Sequence, residues 1–311
     1  MHLLNVRHTV KPIFFTASLE GNIPTLQISI PIINKRYGNP DFFIVCPNQS
    51  IDHFTTALKT FPNVHLTAED SLISFTKFKD LAKEIEQEIE CGPTSHERLG
   101  WYYQQALKLS FLLDDQRADQ SAVMWDADSI PLSRIKFFDS TDKRSIVYGS
   151  RSEFNVPYFE TLKNIFPALP QNFYAATIQF FSCTAQERVE LINRLATNYP
   201  LKSNETKSVW ISKLIIHSVL KTHGGFSGSF FSEQELVGLS NILNSPSDEQ
   251  IPLKHLRWGI SGRLSRSQLL LAKLFRFKHL TYENPNETLS QKQDWKALFT
   301  LLVAETRLFN R

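Results

Sequence analysis

Two carboxylates stand at the end of one apolar run of the sequence. Asp126 and Asp128 follow the segment Val123-Met124-Trp125, with a single residue between them. Ligands of open α/β sheets bind beyond the carboxyl ends of the strands, so both acids are expected to reach one point if this run is a strand. Mg²⁺ or Mn²⁺ prefers such oxygen ligands, and one or two carboxylates commonly hold it beside substrate phosphates. A solvated turn after a strand would give the same D-x-D spacing, so the bare pattern is generic.

A second group of candidate residues lies upstream, on a helix predicted from Arg98 to Leu113. Thr94 and Glu97 have the spacing of a capping box that would open this helix. At about 100° per residue, one polar face of the helix carries an indole, two amides and a cation. These residues are Trp101, Gln104, Gln105 and Lys108. Such a stripe suits a nucleotide or a sugar, although a solvent-facing side with one stray tryptophan would look the same.

Acidic residues also open a predicted helix after the glycine-rich segment 224–228. Ser232 and Glu235 have capping-box spacing, which by itself accounts for acids at a helix start. Alternatively, Glu233 or Glu235 accepts a proton from an attacking hydroxyl, which requires reach to that hydroxyl and a tuned pKa. Both interpretations stay open.

Alternating strands and helices must position these residues. In the first half of the chain, strands are predicted at 13–17, 42–46, 64–66 and 121–125, and helices at 23–37, 75–89 and 98–113. This alternation predicts a mostly parallel sheet covered by helices. The second half is less regular, with predicted strands at 145–149 and 175–181, helices after Thr184-x-x-Glu187 and at 209–221, and two final helices at 267–278 and 291–309.

Composition places the chain among ordinary folded proteins. It has 311 residues, of which 21% are charged and 12% aromatic, so disorder is excluded and about two structural units are expected. Cys46, Cys91 and Cys183 form no C-x-x-C pair, which argues against a disulfide framework and against a zinc site of paired cysteines. No apolar stretch reaches the roughly 20 residues of a spanning helix. We therefore expect a cytoplasmic protein.

Positive charge is concentrated at the end of the chain. The formal net charge is +3, yet residues 254–311 hold 11 Lys and Arg against 4 Asp and Glu. The apolar positions of 269–277, flanked by cations, would suit an anionic membrane surface. The alternative is a C-terminal helix that packs on the main domain and exposes its cations. Nucleic acid is not an expected partner, because no recognition motif accompanies the charge.

Taken in order, these motifs resemble those of bacterial glycosyltransferases of GT-A-like fold that build capsule, O-antigen or lipooligosaccharide chains. The resemblance rests on Gly-Trp-x-x-Gln-Gln-x-x-Lys (Gly100 to Lys108), on Trp125-Asp126-Ala127-Asp128 followed by Pro131-Leu132, and on Phe231 to Leu236 with Gly238 shortly after. It spans roughly residues 10 to 260. It implies an α/β fold with a Rossmann-type mixed, mostly parallel sheet flanked by helices. A transferase domain would cover 1–260, and a basic helical extension would cover 261–311.

The resemblance further implies a metal-dependent hexosyltransferase that uses a nucleotide-sugar donor and a saccharide or lipid-linked acceptor in surface polysaccharide synthesis. Its basic C-terminal helices would be where the protein touches the inner face of the membrane. The donor would be bound by Thr16 and Ala17 near the base, and by Trp101, Gln104, Gln105, Lys108 and Asp126. Asp126 and Asp128 would hold Mn²⁺ or Mg²⁺ on the diphosphate, with His255 or His223 as a candidate third ligand.

The same resemblance leads us to expect inversion at the anomeric carbon, with one carboxylate acting as base. Glu233 is preferred to Glu235, because Glu235 has the capping role. Two alternatives remain. Asp126-x-Asp128-Ser129-Ile130 superficially matches the nucleophile loop of haloacid-dehalogenase-like phosphatases and phosphotransferases, but no later acidic pair accompanies it. The chain could also be a non-catalytic carbohydrate- or nucleotide-binding module that kept the fold.

Overall fold

The computed structural model describes residues 11–258, 272 and 274–282, apart from 91, 93, 142, 151–152, 167–173 and 245–249. The strands, numbered along the chain, are β1 (Ile13–Ala17), β2 (Phe42–Cys46), β3 (Val64–Ala68), β4 (Ala122–Trp125), β5 (Ser129–Pro131), β6 (Tyr148–Gly149), β7 (Phe180–Cys183), β8 (Ile251–Pro252), β9 (His255–Trp258) and β10 (His279–Tyr282). The central sheet has the order β3-β2-β1-β4-β7. Its first four strands run parallel, and β7 is antiparallel to β4. The predicted mixed, mostly parallel sheet is thus confirmed.

Helices alternate with these strands, and those at 51–58 and 156–165 were not predicted from the sequence. They are α1 (Ile23–Tyr37), α2 (Ile51–Leu58), α3 (Phe75–Glu88), α4 (Leu99–Leu112), α5 (Val156–Ile165), α6 (Ala185–Asn198), α7 (Lys207–His223) and α8 (Glu233–Asn244). Helix α1 continues through Pro31 and ends at Gly38, which adopts the left-handed conformation that glycine tolerates best. Within the described ranges, none of the helices is both long and apolar enough to cross a membrane.

Two apolar clusters cover the two faces of the sheet, because successive side chains of a strand point to opposite faces. Phe14 and Val123 belong to one cluster, which includes residues of α1 and α2. Phe15 and Met124 belong to the other, which includes residues of α3, α4 and α7. All four side chains are fully buried, which contributes roughly 1.5–3 kcal/mol for each such side chain. Strand β4, which leads to the predicted carboxylates, and its neighbour β1 are therefore packed on both faces.

Part of the predicted helical extension is a strand. β10 pairs parallel with β9 and antiparallel with β5, so residues 279–282 join a second sheet beside the turn after β4. The extension is therefore not helical throughout: residues 279–282, which lie between the two predicted helices, form a strand that was not predicted, with Leu280 fully buried. The predicted helix at 291–309 and most of the one at 267–278 lie outside the described residues. The domain boundary near 260 stays a prediction.

Of the predicted helix caps, one is confirmed in full. Thr184 and Glu187 form a reciprocal capping box at the start of α6. Helix α4 begins differently, with Arg98 at its N-cap and no side-chain cap. The Thr94 hydroxyl is instead in contact with Glu86 and His96. The predicted capping box at Thr94 is therefore wrong, because tertiary partners compete for its hydroxyl.

Candidate functional site

A cleft of about 470 Å³ opens where the polypeptide leaves β1 and β4. The neighbours of β1 are β2 on one side and β4 on the other, so the strand order reverses here. Open α/β sheets bind ligands at such a point. The cleft is lined by Ala17, Asn22, Trp101, Gln104, Gln105, Lys108, Asp126, Ala127, Asp128, Tyr158, Thr177, Gln179, Ser232, Glu233 and Gln234.

Lys108 is the centre of a buried charged cluster in this cleft. Its Nζ lies 2.5 Å from Asp126 Oδ1 and 2.9 Å from Glu233 Oε1. The side chains of Lys108, Asp126 and Glu233 are 6%, 13% and 2% exposed. A cation this deeply buried requires paired carboxylates, because its desolvation alone costs several kcal/mol. We call these three residues the Lys108 cluster.

Burial and charge act against each other within the cluster. Burial alone would lower the pKa of Lys108, but the neighbouring Asp126 and Glu233 carboxylates raise it above its usual range, so Lys108 is held as a cation. Burial raises the pKa of Glu233, with a further contribution from the Asp126 charge, while Lys108 lowers it. Lys108 therefore favours the ionised form of Glu233.

The second oxygen of Asp126 is also engaged. Gln234 Nε2 donates to Asp126 Oδ2 at 2.9 Å. Gln234 Oε1 in turn accepts from the backbone N–H groups of Ile178 and Gln179 at 2.8 and 2.9 Å. The backbone N–H of Asp126 donates to the carbonyl of Gln179, whose φ of 68° is unusual for a residue other than glycine. Asp126 is thus fixed from three directions, by Lys108 of α4, by Gln234 of α8 and by the segment before β7.

The polar face of α4 ties the walls of the cleft together. Gln105 Oε1 accepts from the backbone N–H of Glu233 at 2.8 Å and so satisfies one of the free donors at the start of α8. Gln104 Nε2 donates to the carbonyl of Ala17 at 3.3 Å. The predicted stripe of Trp101, Gln104, Gln105 and Lys108 does line the cleft and is not a solvent face.

Asp128 borders the cleft next to Asp126, and the hydroxyl of Ser129 donates to its Oδ1 at 3.3 Å. The charged residues that line the cleft are Lys108, Asp126, Asp128 and Glu233, which carry a formal charge of −2. Across the described part of the chain, no group of three or more His, Cys, Asp or Glu side chains is placed to hold a metal ion. The donor set at 126–128 nevertheless fits Mg²⁺ or Mn²⁺, which takes few protein ligands and completes its shell with water and phosphate oxygens.

Glu235 does not line the cleft. It is fully buried, and its two carboxylate oxygens accept from the N–H groups of Ala176 and Thr177 and from the Thr177 hydroxyl, at 2.7–3.0 Å. The Ser232 hydroxyl accepts from the Glu235 N–H, which is one half of the predicted capping box. The other half is wrong, because the Glu235 carboxylate braces the segment before β7. The expectation that Glu235 could act as the base is corrected for the same reason, since its carboxylate is bound by backbone groups outside the cleft.

Two other candidates lie away from the cleft. Thr16 is buried at the end of β1 and its hydroxyl donates to the carbonyl of Ala17, so Ala17 alone of this pair lines the cleft. His223 stacks on Phe230 with ring centroids 4.1 Å apart, and its Nε2 lies 3.1 Å from the Thr161 hydroxyl. The side chain of His255 lies outside what the structure describes.

Several lining residues were missed by the sequence analysis. Gln234 lies between the two acids that were singled out, and its position beside Glu233 was the available signal. Asn22, Tyr158, Thr177 and Gln179 belong to segments without a recognisable motif, and only the fold brings them to the cleft.

Comparisons with known proteins give a distant likeness. No protein-family model and no curated protein matches the chain. Among solved structures, the chain is similar to mouse xyloside xylosyltransferase 1 in its apo form, with 9% identity and a TM-score of 0.42 over 87% of this chain and 96% of that one. The match does not single out the bacterial capsule, O-antigen or lipooligosaccharide enzymes.

Proposed function

We propose that the protein is a glycosyltransferase that moves a sugar from a nucleoside-diphosphate donor to a hydroxyl of a saccharide or lipid-linked acceptor. The observation that carries this proposal is the Lys108 cluster beside Asp128, at the carboxyl ends of β1 and β4, in a cleft of about 470 Å³. Such a volume is within the range of small-molecule sites. The cluster gives the cleft fixed positive and negative charges. These suit a ligand that combines a negatively charged diphosphate with a bound cation.

Asp126 and Asp128 would hold the divalent cation, Mn²⁺ or Mg²⁺. When bound, this cation would offset the charge that develops on the leaving nucleoside diphosphate. Lys108 and Gln234 keep the Asp126 carboxylate in one orientation, since each donates to a different oxygen. Each of these oxygens retains a lone pair for a metal ion.

Glu233 is the carboxylate we assign as base, because Asp126, Asp128 and Glu233 are the acids that line the described cleft. The acceptor oxygen forms a bond to the anomeric carbon, and the bond from that carbon to the diphosphate oxygen breaks. The electron pair leaves with the nucleoside diphosphate, and the hydroxyl proton passes to Glu233. Attack from the face opposite the leaving group inverts the anomeric configuration.

The phosphatase alternative gains no support from the contacts. The chemistry of that class needs a later acidic pair that holds Mg²⁺ beside the attacking aspartate. Among the downstream acids, Asp139 is bound within its own turn by Thr141 and Lys143. Asp142, Asp248 and Asp294 lie outside the described residues.

The test is a panel of nucleotide sugars, measured by thermal shift and by release of nucleoside diphosphate with and without Mn²⁺. A bound donor should raise the apparent melting temperature by mass action. Asp128→Asn should lower the rate of diphosphate release by roughly 10²-fold, the typical loss when one stabilising electrostatic group is removed. Asp52→Asn is the matched control, because Asp52 is exposed in the first turn of α2.

Three results would contradict parts of the proposal. Full turnover of Asp128→Asn, or of the wild type in a chelator, would remove the metal role. Binding of nucleotide sugars with neither hydrolysis nor transfer would indicate a non-catalytic binding module. A product of retained anomeric configuration, read from its proton NMR spectrum, would remove the assignment of Glu233 as base.

A further inference from the structure

We infer that Trp101 and Tyr158 form the acceptor subsite of this cleft, a platform on which one saccharide ring of the acceptor packs. This inference rests on the proposed transfer of a sugar. It concerns the chemical class of the second substrate and the place where it binds. We call the two residues the aromatic platform.

The aromatic platform is built from two helices. Trp101 lies on α4 and Tyr158 on α5, and their ring centroids are 6.3 Å apart with an interplanar angle of 16°. Both rings line the cleft, and they are the aromatic residues among its described lining. Trp101 is half-buried and Tyr158 is 9% exposed, so the pair gives the cleft an apolar border formed mainly by the indole.

Other contacts hold the indole in place. The Arg98 guanidinium lies over the Trp101 ring, 5.2 Å from its centroid. Tyr102 packs edge-on against Trp101, with centroids 5.0 Å apart and an angle of 82°. Because these contacts already fix Trp101, little side-chain entropy of its ring is lost when a ligand binds.

The position of the aromatic platform separates it from the donor's phosphates. Trp101, Gln104, Gln105 and Lys108 share one face of α4 and line the cleft in that order. At a rise of 1.5 Å per residue, about 10 Å of helix separates Trp101 from Lys108. The diphosphate belongs at the Lys108 end, near Asp126. The attacking hydroxyl belongs at Glu233, near the same end, and the rest of a saccharide acceptor then extends along the face of α4 toward Trp101.

A nucleobase is the competing occupant, and the fold argues against it. Ligands of open α/β sheets lie against the strand ends where the strand order reverses, which here means Ala17 and Asn22 after β1. The aromatic platform lies on α4 and α5 instead, and α5 packs against α7. A pyranose ring has one apolar face of C–H bonds and a rim of hydroxyls, which matches an apolar platform in an otherwise polar cleft.

The experiment compares two reactions of one donor. Release of nucleoside diphosphate without acceptor reports transfer to water, and a panel of methyl and p-nitrophenyl glycosides reports transfer to saccharides. Trp101→Ala should raise the KM for the saccharide about tenfold, the upper range for loss of an aromatic contact. The KM for the donor and the rate of transfer to water should change much less than the KM for the saccharide. Tyr158→Ala should act in the same direction.

Phe154→Ala is the matched control. Phe154 is an aromatic residue just before α5, 52% exposed, that stacks on Phe159 and is not part of the cleft lining. Its removal should change neither KM. Trp101→Phe keeps a ring at the platform and should restore most of the acceptor affinity, while urea unfolding of each variant reports whether the fold is intact.

The outcomes separate this inference from the proposed function. A donor KM that rises as much as the acceptor KM would make the platform a donor site and overturn the inference. Unchanged acceptor kinetics in both alanine variants would also overturn it. A wild-type enzyme that transfers the sugar to water but to no saccharide of the panel would overturn it as well. A wild type that turns over no nucleotide sugar would contradict the proposed function itself.

Discussion

Replacing Lys108 by Met tests whether the Lys108 cluster holds the site together. Met has nearly the same length and no charge, so the substitution keeps most of the packing and removes the cation. Asp126 and Glu233 would then lie close to each other without the ammonium group that pairs with both. The structure predicts a large loss of stability together with a loss of function.

The magnitude follows from the distances and the burial. At 2.5 and 2.9 Å, each ion pair is worth roughly 6 kcal/mol of Coulomb attraction at an effective dielectric constant of about 20. Desolvation of each buried ion offsets several kcal/mol of this attraction. Removing one partner of a buried pair costs about 3–5 kcal/mol, since the remaining charge keeps its desolvation penalty and loses its compensation. We expect Lys108→Met to fall in that range.

The assay is urea unfolding at pH 7, followed by fluorescence, with Lys207→Met as the matched control. Lys207 pairs with Asp115 at 2.5 Å, but Asp115 is 81% exposed, so that pair is worth only about 0–1 kcal/mol. Adding Glu233→Gln to Lys108→Met should recover part of the loss, because it removes one of the two facing carboxylates. A Lys108→Met protein that is no less stable than Lys207→Met would refute this account of the cluster.

The pH dependence gives an independent check with a defined sign. Lys108 lowers the pKa of Glu233, so its removal raises that pKa further above the ordinary value of 4.5. The native variant then keeps a proton that the unfolded chain has released, and stability falls as pH rises from 4.5 toward the folded pKa. The loss of unfolding free energy caused by Lys108→Met should therefore become smaller as the pH is lowered toward 4.5. A deficit that grows on acidification would contradict the assignment.

Two further substitutions test how the cleft wall is positioned. The Tyr102 hydroxyl donates to the Gly228 carbonyl at 2.7 Å and accepts from the Phe230 N–H at 3.0 Å, so Tyr102→Phe should cost about 1–3 kcal/mol in urea unfolding and raise the donor KM. Tyr103→Phe, which removes a hydrogen bond to Ile73, should leave the donor KM unchanged. Burial raises the pKa of Glu235 to about 7, so the free energy of unfolding should fall as pH rises from 4.5 to 7, and Glu235→Gln should reduce that slope. A slope of unchanged size in the variant would contradict the burial of an ionisable Glu235.

Local patterns predicted the strands of the first half of the fold and its helices at 23–37, 75–88 and 99–112, but not the helix at 51–58. Buried strands such as Ile13–Ala17 and Phe42–Cys46 are short apolar runs bounded by polar residues, and their burial on both faces is what a parallel sheet requires. The second half depended on pairing between distant segments. The predicted strand at 175–181 begins only at Phe180, because the backbone of 176–179 is bound by Glu235 and Gln234 of α8. No local pattern reports such a partner.

The candidate site, too, was predictable from local patterns only in part. The helical period was enough to place Trp101, Gln104, Gln105 and Lys108 on one face, and an apolar run was enough to place Asp126 after a strand. That Lys108 meets Glu233, 125 positions away, depends on how α8 crosses the end of α4. The sequence therefore supplied the donors and acceptors of the site, and the tertiary packing of two helices decided which of them are joined.

The contacts among Lys108, Asp126 and Glu233 bear directly on the proposed catalysis. A carboxylate that must hold a metal ion or accept a proton works best if it does not have to reorganise during the reaction. Lys108 and Gln234 hold Asp126, Gln105 holds the start of α8, and the same Lys108 favours the ionised form of Glu233. One buried cation thus orients the proposed metal ligand and prepares the proposed base. Loss of Lys108 should consequently lower donor binding and turnover together, whereas loss of Glu233 alone, tested as Glu233→Gln, should lower turnover more than donor binding.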